Sequence, residues 1–169
     1  MNYFELFEIP VQLKVDKNSL SAKFFELSKK YHPDYFVKDK PEAQAAALEK
    51  SALLNKAFKT FQNQDETIKY VLQLKGLLEE EEKYELPAEF LMEVLEINEQ
   101  LMDADDKEIA SSIRSKIQNL QTEIHEPVKE IVEHYQEGVT TEKELLQVKE
   151  YYYKKKYLQR IQHQLAGMA

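Results

Sequence analysis

The sequence predicts an all-α protein. Only three Gly and five Pro interrupt 169 residues, the runs between them are rich in strong helix formers, and apolar residues recur at spacings of three and four instead of alternating. The first well-defined helix covers residues 19 to 31. Ser19 can cap it, and Leu20, Phe24, Leu27 and Tyr31 share one face, with Phe25 outside that stripe. Pro33 lacks an amide proton and drives His32 out of helical dihedrals, so the helix stops at or just before His32. His32, Pro33 and Asp34 are thereby presented on a rigid turn. A second helix begins near Pro41 and runs through Ala45, Leu48, Ala52, Leu53 and Ala57 to about Phe61. A connection of roughly nine residues makes the pair an antiparallel hairpin, with His32, Pro33 and Asp34 exposed at one end. Residues 65 to 75 form a short helix on Ile68, Val71 and Leu72, stopped by Gly76.

Glu79 to Glu82 then place four like charges in a row, expected to be solvated, and the domain boundary falls there. Pro87 opens a helix to about Leu101. Phe90, Val94, Ile97 and Leu101 lie within about 60° of one another and face a core. Leu91, Leu95 and Met102 sit about a quarter turn away and Met92 farther round, so the apolar arc is too wide for one neighbour. A middle helix over residues 106 to 137 carries Ile109, Ile113, Ile117, Leu120, Ile124, Val128, Ile131 and Tyr135, with a kink or break at Pro127. After Gly138, a last helix from about Thr141 to Leu165 buries Leu145, Val148, Tyr151, Tyr152, Leu158, Ile161 and Leu165. Leu146, Tyr153, Tyr157 and Arg160 group on its opposite side, and the two Tyr are expected to be exposed, stacked on each other at most. Three helices on short turns make an antiparallel bundle. Surplus apolar and aromatic residues on its first and last helices are the composition of a protein-binding face.

Composition excludes several function classes. Residues 1 to 75 carry 12 basic and 10 acidic side chains, and residues 76 to 169 carry 11 and 21. The halves thus have net charges of +2 and −10, which suits two surfaces with different partners. An acidic chain with a pI near 5.2 does not bind nucleic acid. Without cysteine there are no disulfides, thiolate zinc sites or Cys-ligated iron–sulfur clusters. The four His are scattered without metal-pair spacing, so no metal or other cofactor is expected. No apolar run reaches membrane-span length and the opening residues lack signal-peptide character, which predicts a cytoplasmic protein without membrane contact. An enzymatic role would need His32 as base and Asp34 as its orienting partner. Residues flanking a Pro are expected to point apart, and no Ser nucleophile accompanies them.

His32-Pro33-Asp34 between two such helices resembles a J-domain, the module with which DnaJ-type co-chaperones stimulate seventy-kilodalton heat-shock chaperones. Chance alone would place this tripeptide in about one chain of this length in a hundred, and its context makes it more specific. Tyr3-Phe4-Glu5-Leu6-Phe7 with Ile9-Pro10 resembles the short first helix of J-domains, and Asn55-Lys56-Ala57-Phe58 the end of their third. J-domains often carry Lys after the Asp, whereas this chain has Tyr35 followed by Phe36. A J-domain followed by an acidic three-helix bundle is similar to the HscB family of iron–sulfur co-chaperones. Phe90-Leu91-Met92-Glu93 and Leu95-Glu96 match the opening of that family's C-terminal domain.

The resemblance implies a J-domain over residues 1 to 76, an acidic linker over 77 to 86 and a scaffold-binding bundle over 87 to 169. It implies contact with a seventy-kilodalton chaperone (HscA or DnaK type) through His32, Pro33 and Asp34, with Lys23, Lys29 and Lys30 steering. It also implies contact with an IscU-type scaffold through Leu91, Met92, Leu95 and Tyr153. No covalent catalysis is implied. The alternatives are a J-domain protein with another client or a self-associating bundle, and a non-catalytic helical adaptor in which the tripeptide is accidental.

Overall fold

The computed structural model describes residues 1–167, and all regular secondary structure among them is helical. The chain divides into two compact units. One is Met1–Leu74 with the short segment Tyr135–Val139; the other runs from Lys75 to His134 and resumes at Thr140.

In the first unit, helix α1 (Tyr3–Leu6) is closed by a capping box. Asn2 Oδ1 accepts from the Glu5 amide at 2.8 Å and the Asn2 amide donates to Glu5 Oε2 at 3.3 Å, so two otherwise orphaned donors are satisfied. Helix α2 spans Lys17–Lys30. Its cap is Asp16, not Ser19: Asp16 Oδ2 accepts from the Ser19 amide at 3.0 Å and from its hydroxyl at 2.8 Å. A carboxylate satisfies two donors and complements the helix dipole, so the helix starts two residues before the expected cap. Helix α3 (Pro41–Gln62) returns antiparallel to α2, and α4 (Gln64–Leu74) follows after Asn63. Gly76, at φ +71°, lies two residues beyond its end, a left-handed conformation that glycine adopts without a Cβ penalty.

The face that α3 buries agrees with its apolar residues only toward the C-terminal end, at Ala57 and Phe61, while Ala45, Leu48 and Ala52 are exposed. Ala47, Leu54, Ala57 and Phe61 are buried, while Leu48 is 61% exposed. Ala and Leu occur nearly all round this helix, so spacing alone leaves its rotation undetermined. The pairing partner decides it: Phe58 stacks on Phe24 of α2 with centroids 4.0 Å apart. Phe61 sits among Phe4, Phe7 and Tyr70, and the Tyr70 hydroxyl accepts from the Tyr3 amide at 2.8 Å.

The second unit is a bundle of α5 (Ala88–Leu101), α6 (Lys107–His125), the short α7 (Lys129–Glu133) and α8 (Glu142–Gly167). Phe90, Val94, Ile97 and Leu101 of α5 and all seven expected residues of α8 are buried, as their periodicity predicts. Pro127 does break the middle helix. Glu126–Val128 form a 3-10 turn between α6 and α7, since Pro cannot donate to the preceding turn. The break shifts the inward face by one residue, so Val132 is buried and Ile131 only half-buried.

Candidate protein-docking surfaces

At the end of the first unit, α2 stops at Lys30 and His32 takes an extended conformation (φ −63°, ψ 130°). Pro33–Phe36 then form a 3-10 turn that His32 caps. This turn folds Asp34 back toward His32 instead of letting the two point apart. His32 Nδ1 accepts from the Asp34 amide at 3.2 Å and lies 3.6 Å from Asp34 Oδ2. A neutral imidazole that accepts at Nδ1 carries its proton on Nε2. The ring thus offers a donor to a partner, and its tautomer is opposite to that of a base oriented by an acid through Nδ1.

The surroundings of the turn are partly aromatic. Phe25 and Tyr35 are 62% and 70% exposed, and Tyr35 meets the His32 ring edge-on. With Ser28, Lys29, His32 and Asp34 they line a shallow pocket of about 360 Å³. The three expected cations differ. Lys29 lies over the Phe25 ring at 4.4 Å and Lys30 over Tyr31 at 5.3 Å, both on exposed residues. Lys23 is half-buried, 3.8 Å from each of the Glu8 and Glu26 carboxylates, so its charge is largely compensated locally.

On the bundle, Leu91, Met92 and Leu95 are 41%, 69% and 56% exposed and spread over about 100° of α5. Tyr153 is not exposed as expected but half-buried. It stacks on Tyr84 at 4.6 Å with planes 8° apart, and Tyr157 packs edge-on against Phe90 while accepting from Asn98 Nδ2 at 3.4 Å. Each ring has therefore found a partner from a different segment, which helix periodicity alone cannot reveal.

The segment that supplies Tyr84 is held to α8. Leu78 is buried, and Glu82 accepts from Lys149 Nζ at 2.7 Å with both side chains largely covered. Thus Glu82 differs from its exposed neighbours Glu79, Glu80 and Glu81. The Lys149 bond holds the Glu82 carboxyl below its ordinary range. Burial, then the Glu82 carboxylate, pushes the Tyr153 phenol up to about 12. Burial, followed by Glu150 and Glu82, raises Tyr84. Both phenols therefore stay neutral at ordinary pH. Leu91, Tyr84, Tyr153 and Tyr157 share a groove of about 600 Å³ with Lys156 and Arg160. Sequence reasoning missed Tyr84 and Lys156, and the only local signal was an aromatic residue inside an acidic run.

The metal-capable cluster among the described residues is Glu130, Glu133 and His134, with ligand atoms within 4.8 Å of one another. All three are exposed, and Glu130 Oε2 lies 3.3 Å from Nε2 of His134, the residue that follows α7. No helix among the described residues is long and apolar enough to cross a membrane.

Residues 86–166 match the family model described as the HSCB C-terminal oligomerisation domain. The fold is similar to the crystal structure of human co-chaperone protein HscB, with a TM-score of 0.77, 26% identity and coverage of 98% of this chain and 81% of the human one. It is also similar to chaperone HscB from Vibrio cholerae, with a TM-score of 0.70, 25% identity and coverage of 98% and 96%. A helical hairpin followed by a bundle that matches this domain model gives the chain the fold of the HscB co-chaperones and supports an HscB-type protein.

Proposed function

We propose that this protein is a cytoplasmic co-chaperone that binds an IscU-type iron–sulfur scaffold and delivers it to a seventy-kilodalton heat-shock chaperone of the HscA or DnaK type, stimulating that chaperone's ATPase. The observation that carries the reading is the presence, in one HscB-type chain, of an exposed His32-Pro33-Asp34 turn and an exposed apolar face on α5. His32 offers its Nε2 proton, Asp34 a solvent-facing carboxylate, and Pro33 fixes their separation. Lys29 and Lys30 steer the encounter; Lys23 contributes less, because two carboxylates already hold it. Leu91, Met92 and Leu95 contact the scaffold, with Tyr153 as a rigid floor beside them.

Residues 1 to 76 and 87 to 169 act as the two functional parts. Residues 77 to 86 connect them and are tied to the bundle through Glu82 and Tyr84. Holding the scaffold with one part while the other engages the chaperone raises the local concentration of client at the moment of hydrolysis. The protein itself makes and breaks no covalent bond. The test is calorimetric titration of the scaffold into the wild type and into Leu91→Ala/Leu95→Ala, with chaperone ATPase measured on the same preparations. Binding abolished with basal stimulation retained supports the reading; unchanged scaffold binding overturns it.

A further inference from the structure

The groove beside Leu91 has a charge opposite to that of the bundle around it. Its walls are aromatic, from Tyr84, Tyr153 and Tyr157, and its rim carries Lys83, Lys156 and Arg160. Two carboxylates also line it, but Glu82 is bonded to Lys149 at 2.7 Å, which leaves Glu85. None of the three rim cations pairs with a carboxylate among the described residues. Lys156 instead lies over the Tyr152 ring at 5.4 Å. Three uncompensated cations thus face one free carboxylate, in a half-chain whose net charge is −10.

Such an arrangement is not what solvation alone would select. Tyr84 and Tyr153 stack as a neutral platform, and the phenols cannot ionise to repel an anion at ordinary pH. We infer that the groove receives an acidic segment of the scaffold protein, an apolar side chain seated against Leu91 and the tyrosines and a neighbouring carboxylate held by Lys156 and Arg160. This rests on the scaffold-binding reading of the α5 face and adds the chemistry of the partner's segment to it. Leu95 and Met92 extend the apolar contact away from the groove, and the Lys156 and Arg160 end fixes which way the segment lies. The planar guanidinium of Arg160 gives the carboxylate a preferred direction, which an apolar patch cannot. Charge complementarity at the rim also acts on encounter, so its loss appears in the association rate and in salt dependence.

The experiment uses the full chain and a purified IscU-type scaffold, with dissociation constants and association rates measured at low and high salt. Lys156→Glu/Arg160→Glu is expected to weaken binding by at least about tenfold at low salt, a difference that narrows at high salt. Lys156→Gln/Arg160→Gln, which removes charge without introducing repulsion and guards against misfolding of the reversed variant, is expected to weaken it less and in the same direction. Leu91→Ala serves as the reference. Unchanged affinity in both charge variants, with Leu91→Ala still defective, overturns the acidic-segment inference and leaves the scaffold reading standing. Unchanged affinity in Leu91→Ala as well overturns both.

Discussion

At the residue scale, His32 and Tyr35 are exposed side chains at which docking and folding can be tested separately. His32 is exposed, and its bonds are local, to Asp34. His32→Gln is therefore expected to change stability by no more than about 0.5 kcal/mol while abolishing chaperone stimulation, checked by thermal melting beside an ATPase assay. Tyr35 stands where J-domains often carry Lys, and it is mostly exposed against the His32 ring. Tyr35→Lys is expected to leave the melting temperature unchanged and to steepen the salt dependence of stimulation, because it replaces an aromatic contact by a charge. The exposed turn at His32 was legible from the sequence, since Pro33 ends the helix locally. The inward fold of Asp34 was not, because the 3-10 path after Pro33 depends on how the chain continues to α3.

Elements show the same division between local and tertiary control. Helix starts and stops were legible to within a few residues at Pro41, Gly76, Pro87 and Pro127, where one residue's covalent geometry decides. The rotation of α3 and the burial of Tyr153 were not, because Phe24 and Tyr84 decide them from outside the element. The cap of α2 gives a pH test. Hydrogen bonds from the Ser19 amide and hydroxyl lower the Asp16 carboxyl, so its stabilisation is complete above the unfolded pKa and is lost as pH falls through the lower folded value. Asp16→Asn retains a cap and removes that acid-side loss, measurable as a flatter stability profile below the ordinary carboxylate range. Glu81 offers a backbone test: at φ +55° it occupies a left-handed conformation that disfavours a Cβ. Glu81→Gly is expected to raise stability by up to about 1 kcal/mol in denaturant unfolding.

On the scale of the whole molecule, the two parts carry opposite electrostatic characters, and each bears a surface its own core does not use. In the sequence this asymmetry is +2 over residues 1 to 75 against −10 over residues 76 to 169. How residues 77 to 86 attach was not legible there, because a run of four Glu gives no sign that only Glu82 finds Lys149. Glu82→Gln breaks that tie and is expected to cost about 0.5–1 kcal/mol at neutral pH. With its folded carboxyl pKa lowered, the wild-type advantage is present above the unfolded Glu value and disappears as pH falls through the folded one. Urea unfolding of both forms across the acid range reads this out.

The central claim is that one chain couples scaffold binding to chaperone hydrolysis. Its most direct test is the steady-state ATPase rate of the seventy-kilodalton chaperone with this protein, with and without the IscU-type scaffold, in parallel with His32→Gln. The account predicts that scaffold and protein together stimulate more than the sum of their separate effects, and that His32→Gln removes the excess. Equal rates with and without scaffold, or synergy that survives His32→Gln, would contradict it.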